Sequence, residues 1–234
     1  MKILRSIVFI CFILGNTSTL FAQRDVIEYL PNFDLQTVHW GYYLGINNKG
    51  YKISYLEANK TITVKEATGF NVGLIGDLRL HNNINLRLEP GLSTNTKILY
   101  FNSLQGKQDS TREAGGTYLH VPLVLKISTN RYNNIRPYIL GGISYDYNFS
   151  SNQDNPDDNA INSGGEFRMK KHNFMYEMGF GIDFYLYYFK FSPSIRGVFA
   201  INNELKYDND QNSKWTGPVD FFGTRGVFIN FAFE

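Results

Sequence analysis

Eight segments of this chain alternate apolar and polar side chains over roughly 10 to 13 residues each, and the stretches that join them are short and long in strict turn. The segments are Val38–Asn47, Gly69–Leu80, Ile84–Ser93, Thr117–Ser128, Ile135–Tyr147, His172–Phe184, Phe189–Ala200 and Phe221–Phe233. Ordinary strands are about half that length, whereas a tilted strand crossing an apolar slab about 25 Å tall needs about ten residues. His81–Asn83, Thr129–Asn134 and Tyr185–Tyr188 are short joints; Asn48–Thr68, Thr94–Gly116, Asn148–Lys171 and Ile201–Asp220 are long. All long joints therefore fall at one end, which a soluble sandwich does not require and a transmembrane meander does. The pattern predicts an all-β fold: an eight-stranded antiparallel up-and-down transmembrane β-barrel over residues 38–234, closed and without edges.

Alternation alone does not say which face is inside. In GDLRLHNNINLRLEPG, residues 76–91, Leu78, Leu80, Ile84, Leu86 and Leu88 share one face, and Asp77, Arg79, Asn85, Arg87 and Glu89 share the other. A half-buried soluble sheet turns its apolar face inward; a membrane barrel turns it to lipid. If Leu80 faces Ile84 across the turn, Asp77 faces Arg87 and Arg79 faces Asn85. If Phe184 faces Phe189, Asp183 faces Lys190 and Glu177 faces Arg196. Solvated faces gain little from such pairs, but a narrow lumen filled by side chains must match each charge or lose several kcal/mol to desolvation. The charged face is therefore read as the inside, with Asp77, Arg87, Glu89, Lys126, Glu177, Asp183, Lys190 and Arg196 as a polar core.

The ends and the composition agree with an exported barrel. Lys2 and Arg5 precede the apolar run Ile7–Leu14, too short for a stable span, so residues 1–22 read as a signal peptide cleaved near Ala22. Cys11, the single cysteine, falls in that leader and lacks the small preceding residue of a lipoprotein anchor. The mature chain then has no thiol chemistry. Of 23 Lys and Arg, Lys2 and Arg5 leave with the leader, and the remaining basic residues equal the 21 Asp and Glu. That balance gives no basic surface for a nucleic-acid partner. No later window is apolar enough for a helical span, so membrane residence requires a closed barrel. The 19 Phe, 16 Tyr and 2 Trp exceed what a core of this size needs. Trp40, Tyr42, Tyr43, Tyr145, Tyr147 and the run Phe184–Phe191 are read as girdles at the two interfaces. The alternating Phe231-Ala-Phe233-Glu234 at the end resembles the last strands that outer-membrane assembly machinery recognises. These features predict the outer membrane of a Gram-negative bacterium, with its lipid as the first partner.

Residues able to carry chemistry are few. His39, His81, His120 and His172 belong to no HxxxH, HExxH or cysteine-containing metal spacing and are read as lumen or interface residues. Asp154, Asp157 and Asp158 lack the glycine and terminal glutamate of a calcium loop. Gly179 and Gly181 alternate on a strand with no helix after them, so they relieve crowding rather than cradle phosphate. No catalytic residue, metal, cofactor or small-molecule substrate is expected. The segment 23–37, before the first strand, is read as a periplasmic lead whose apolar Val26, Ile27, Leu30, Phe33 and Leu35 no lipid-facing pattern explains, with Pro31 blocking a long helix. Leu30 and Phe33 are its candidate docking residues, or else they plug the barrel mouth.

Four strings carry a family resemblance: LPNFDLQTVHWGYYLGIN at 30–47, YLHVPLVLKIS at 118–128, RPYILGGISYDY at 136–147 and YEMGFGIDFYLYYFKFSPSIRGVF at 176–199. Together they resemble the PorT family of small outer-membrane barrels of the Bacteroidetes, from about Leu30 to the end. The resemblance implies a non-enzymatic component required for type IX protein secretion, through which folded cargo with C-terminal sorting domains crosses the outer membrane, with other components of that machinery as partners. It brings no catalytic motif. An eight-stranded barrel is too narrow to conduct folded cargo, so assembly or docking is the expected role. The alternatives are a general small barrel with a structural or adhesive role and a lipid-modifying enzyme.

Overall fold

The structure, a computed structural model, describes residues 27–56, 62–65, 67–102, 104, 110–155, 168–209, 213 and 215–234. The leader lies outside them. Ten strands form one antiparallel sheet: β1 (Val38–Tyr55), β2 (Ile62–Lys65), β3 (Thr68–His81), β4 (Ile84–Leu88), β5 (Gly91–Phe101), β6 (Thr111–Ser128), β7 (Ile135–Asn148), β8 (His172–Tyr185), β9 (Lys190–Ala200) and β10 (Val219–Phe233). The ring has eight positions. β1 pairs with β3 on one side and β10 on the other, which closes the sheet and leaves no seam unpaired.

Two strands arise from one expected segment. Ile84–Ser93 is interrupted at Glu89-Pro90, where proline supplies no backbone N–H, giving β4 and β5. Both halves pair with β3 and with β6, so they act as one stave. β2 lies within the long joint Asn48–Thr68 and pairs with the outer end of β5 on the same edge as β3, so it extends the β3 stave. Several strands run beyond their expected ends toward the long loops, most of all β1 and β5.

Most apolar side chains face outward along the staves, and most charged ones face the lumen. Leu74 is 65 % exposed to what would be lipid, and Arg87 is 0 % exposed. Asp77, Glu89, Lys126, Glu177, Asp183, Lys190 and Arg196 are buried with it. Tyr43, expected in a girdle, instead points inward and donates from its hydroxyl to the Glu89 carbonyl at 3.3 Å. Neighbours in its own strand explain this: Tyr42 takes the outward position and stacks on Phe233 at 5.3 Å.

Register decides which charges meet. At the β3–β4 turn a bulge places His81 opposite Ile84, but beyond it Asp77 faces Arg87 and Arg79 faces Asn85. The Arg87 guanidinium lies 2.7 Å from Asp77 and 2.6 Å from Glu234. At the β8–β9 turn the pairing differs from Phe184 opposite Phe189: Leu186 N–H bonds Phe189 O at 3.0 Å, and Phe184 faces Phe191. The turn is centred one residue later than expected, which shifts the partners by two residues, keeping each side chain on its face but changing its neighbour. Asp183 then faces the Ser192 side and accepts Lys126 Nζ at 2.6 and 2.8 Å. Lys190 pairs with Glu234 at 2.9 Å. Arg196 donates from Nη2 to Glu89 at 2.8 Å, with Glu177 more distant at 4.0 Å. Glu177 lies 3.1 Å from His120.

The long-loop end is closed by a second, apolar core. Leu99 and Phe101 of β5, Ala114 of β6 and Phe222 of β10 pack with Met169, Leu205 and Trp215 from the last two long loops. A bridge between Met169 and Leu205 joins those loops, and Arg168 holds Asp208 at 2.7 Å. Glu204, buried beneath this cap, accepts from Thr224 N–H at 2.8 Å and Thr224 Oγ1 at 2.9 Å. Burial pushes its carboxyl up from 4.5 to about 7, against the opposing effect of the Thr224 bonds. The described residues of the loop Ile201–Asp220 are therefore folded into the mouth.

Two outcomes follow from these contacts. Glu89→Gln should destabilise the barrel by about 3 kcal/mol by stranding Arg196, and a double-mutant cycle with Arg196→Gln should give about 2 kcal/mol of coupling. The corresponding Glu177–Arg196 cycle should give less; the reverse ranking in urea unfolding would reject the register. For the cap, the folded Glu204 carboxyl retains a proton that the unfolded chain has released, so between pH 4.5 and about 7 the folded state binds more protons and stability falls as pH rises. Amide exchange across 201–209, corrected for intrinsic rates, should show less protection at pH 8 than at pH 5, and Glu204→Gln should remove the difference. Equal protection at both pH values in the unaltered protein would contradict this.

Candidate functional site

Side chains suited to chemistry are already committed inside the lumen. His120 is held between Asp146 at Nδ1, 2.5 Å, and Glu177 at Nε2, 3.1 Å. Asp146 also faces Lys49 at 3.5 Å, and the Lys49 ammonium lies 4.2 Å from the Tyr118 ring centre. Beside them Asn47, Asn71 and Asn95 are joined by side-chain hydrogen bonds, Asn47 donating to Asn71 and accepting from Asn95 at 3.0 Å each, and Asn71 donating to Asn230. Such a network fixes side chains rather than leaving one poised for a substrate. Among the described residues no group of His, Cys, Asp and Glu is arranged to hold a metal ion.

The remaining expected positions are accounted for locally. His172 sits at the outer rim beside the Tyr145 hydroxyl, 2.7 Å away, and His81 lies at the end of β3. Asp154 pairs with Lys171 on the surface, and Asp157 and Asp158 lie outside the described residues. At Gly179 an added Cβ would stand 2.3 Å from Ile195 O and 3.0 Å from Arg196 Cγ, so glycine there makes room for the arginine.

The short-turn mouth is the most elaborated surface. Residues 27–37 cross it in an irregular path with one 3-10 turn, Phe33–Leu35, entered through Leu30 at φ 52°. The joint Thr129–Asn134 grips this segment by its backbone: Arg131 donates to Tyr29 O and, at 3.3 Å, to Leu30 O, while Asn134 donates to Ile27 O at 2.8 Å and accepts from Tyr29 N–H at 2.9 Å. Asp34 completes the attachment, accepting from Tyr185 OH at 2.7 Å and from Arg136 at 3.1 Å. Phe33 turns inward, stacked on His39 at 4.3 Å with Lys190 Nζ 4.6 Å above its ring. Leu30 is half-buried. The apolar side chains left facing out are Ile27 and Leu35, with Tyr132, Tyr187 and Tyr188 on the turns around them. Val26 lies outside the described residues.

Sequence reasoning singled out the lead segment but not the groups that hold it. The available signal was the joint TNRYNN, where an arginine and three asparagines occupy six residues of a turn with nothing of their own to bond. Chemically, this end is a fixed lid with an apolar outer rim. It offers contact area and no reactive group.

Residues 21–206 match the outer membrane protein beta-barrel domain family. Among solved structures the chain is similar to the outer membrane protein OprG from Pseudomonas aeruginosa, at 13 % identity and a TM-score of 0.48, covering 84 % of this chain and 95 % of that one. It is similar also to Neisserial surface protein A, at 9 % identity and 0.43, covering 84 % and 98 %. A third is AlkL, solved in DMPC bilayers, at 12 % and 0.40, covering 92 % of each. No curated protein sequence matches. With most of its length inside the family match, and with a closed ring whose apolar wall faces outward, the chain belongs to the outer membrane protein beta-barrel domain family and resides in the outer membrane.

Proposed function

We propose that the protein is a non-enzymatic component of type IX protein secretion that docks other components at its periplasmic end, its lumen serving as scaffold. The observation that carries this reading is the lid: hydrogen bonds from Arg131, Asn134, Arg136 and Tyr185 fasten 27–37 over the mouth, yet Ile27 and Leu35 are left exposed, 73 % and 66 %. A segment that only sealed the barrel would turn those side chains inward, as Phe33 is turned. Apolar residues retained at a rigid rim fit a partner surface. In outer-membrane barrels the short turns face the periplasm, which supports putting this rim on that side.

The filled bore supports a role on the surface rather than conduction. Charges that already neutralise one another across a narrow lumen leave no route for a polypeptide. The secretion system itself enters through the PorT resemblance of 30–47 and 176–199, the first of which includes part of this lid.

Gene deletion should abolish secretion of cargo carrying the sorting domain. Ile27→Ser with Leu35→Ser changes only exposed positions, worth within about 0.5 kcal/mol of stability, and should reduce secretion at unchanged barrel abundance. Leu30→Ser with Phe33→Ser should release the lid and lower secretion too, because the rim residues lose their fixed placement. Normal secretion in both double variants at normal abundance would exclude docking through this segment.

A further inference from the structure

The outer wall carries a second site near the long-loop end, where one rung of the barrel can be followed across four strands. Gly50 of β1 pairs with Arg225 of β10, Arg225 with Phe199 of β9, and Phe199 with Tyr176 of β8. Phe199 and Tyr176 stack at 5.1 Å. One step inward along β10 the outward residue is the apolar Val227; one step outward is Gly223, which pairs with Lys52. Arg225 is thus the first polar side chain beyond the apolar belt on its strand, and Lys52 stands one rung farther out on the neighbouring strand.

Both cations are exposed, and no carboxylate among the described residues lies within 4.0 Å of either. This contrasts with the lumen, where basic groups such as Arg87, Lys126, Lys190 and Arg196 each meet an acid. The glycines opposite them keep the wall open. The Phe221 ring lies back over Gly223, near enough that an added Cβ would stand 2.7 Å from it, and Phe199 covers Gly197 in the same way at 2.9 Å. The result is a groove of about 250 Å³ lined by Lys52, Tyr176, Phe199, Phe221, Gly223 and Arg225. A second groove, of about 630 Å³, adjoins it along Arg225 and Phe199 and reaches Val227 and Val64.

We infer that this groove binds the phosphorylated headgroup of an outer-leaflet glycolipid, Arg225 and Lys52 holding the phosphate while Phe199, Tyr176 and Val227 flank the first methylenes of its acyl chains. Three observations select that occupant. The groove opens outward, onto the bilayer rather than onto water or the lumen. It lies on the side of the long loops, which in an outer-membrane barrel is the external leaflet. Its charge is positive, met by no carboxylate among the described residues, and stands one rung past the apolar wall, where basic side chains attract anionic lipid headgroups. The inference depends on membership of an outer-membrane family and not on the secretion reading.

The test uses the mature barrel in detergent, observed by native mass spectrometry with bisphosphorylated lipid A, with the same lipid after phosphatase treatment, and with phosphatidylcholine. The unaltered protein should retain the bisphosphorylated form over the other two by roughly 30-fold, the equivalent of two cations near a lipid surface. Lys52→Gln with Arg225→Gln should erase the preference while unheated protein keeps its folded mobility on a denaturing gel. Equal retention of all three lipids by the unaltered protein overturns the assignment without any variant. So does a preference that survives the double substitution, or release of the lipid by millimolar inorganic phosphate, which would mark a site for a soluble anion.

Discussion

Arg87 has no contact with water, and the barrel is arranged around that fact. Its guanidinium reaches Asp77 on β3, Glu89 at the break between β4 and β5, and Glu234 beyond β10. Glu89 passes the connection to Arg196 on β9, and Glu234 passes it to Lys190 at the start of β9. An unpaired charge in such a place costs about 3 to 5 kcal/mol, so the acids and bases must arrive in register or the ring does not close. The same requirement explains the apolar wall. With the paired charges placed inside, alternation turns a mostly apolar and aromatic face to the lipid.

Much of this was visible in the order of residues. The period-2 segments located all eight staves, and the parity of loop lengths assigned their ends. Asp77 opposite Arg87 followed from a turn too short to permit many registers. Other features escaped for stated physical reasons. A two-residue slip preserves alternation, so the pattern of β8 and β9 is equally satisfied by Phe189 or Phe191 opposite Phe184. Partner choice there depends on Lys126 and Glu89, which lie on strands distant in sequence. The break at Pro90 had a local signal in the missing N–H. The external cap had almost none, because Leu205 and Trp215 stand singly among polar loop residues and gain meaning only when Met169 and Phe222 meet them.

Filling and capping together move function to the exterior. The charged lumen rigidifies the ring, the cap excludes water from one end, and the lid covers the other. What remains free is a rim of apolar side chains on the short-turn side and a basic groove on the lipid-facing wall. The two proposed surfaces lie at opposite ends of the barrel, so docking at one and lipid contact at the other would not compete.

The central claim is that the charged face is the inside. Single spin labels placed in turn from Ile75 to Leu88, in protein reconstituted into bilayers, report access to oxygen dissolved in lipid and to a water-soluble nickel chelate. The account predicts oxygen access at Leu78, Leu80, Leu86 and Leu88, with both reagents excluded at Asp77, Arg87 and Gly76's inward neighbour Ile75. Oxygen exclusion at the leucines together with nickel access at Asp77 and Arg87 would mean that the apolar face is the core, and would contradict the account.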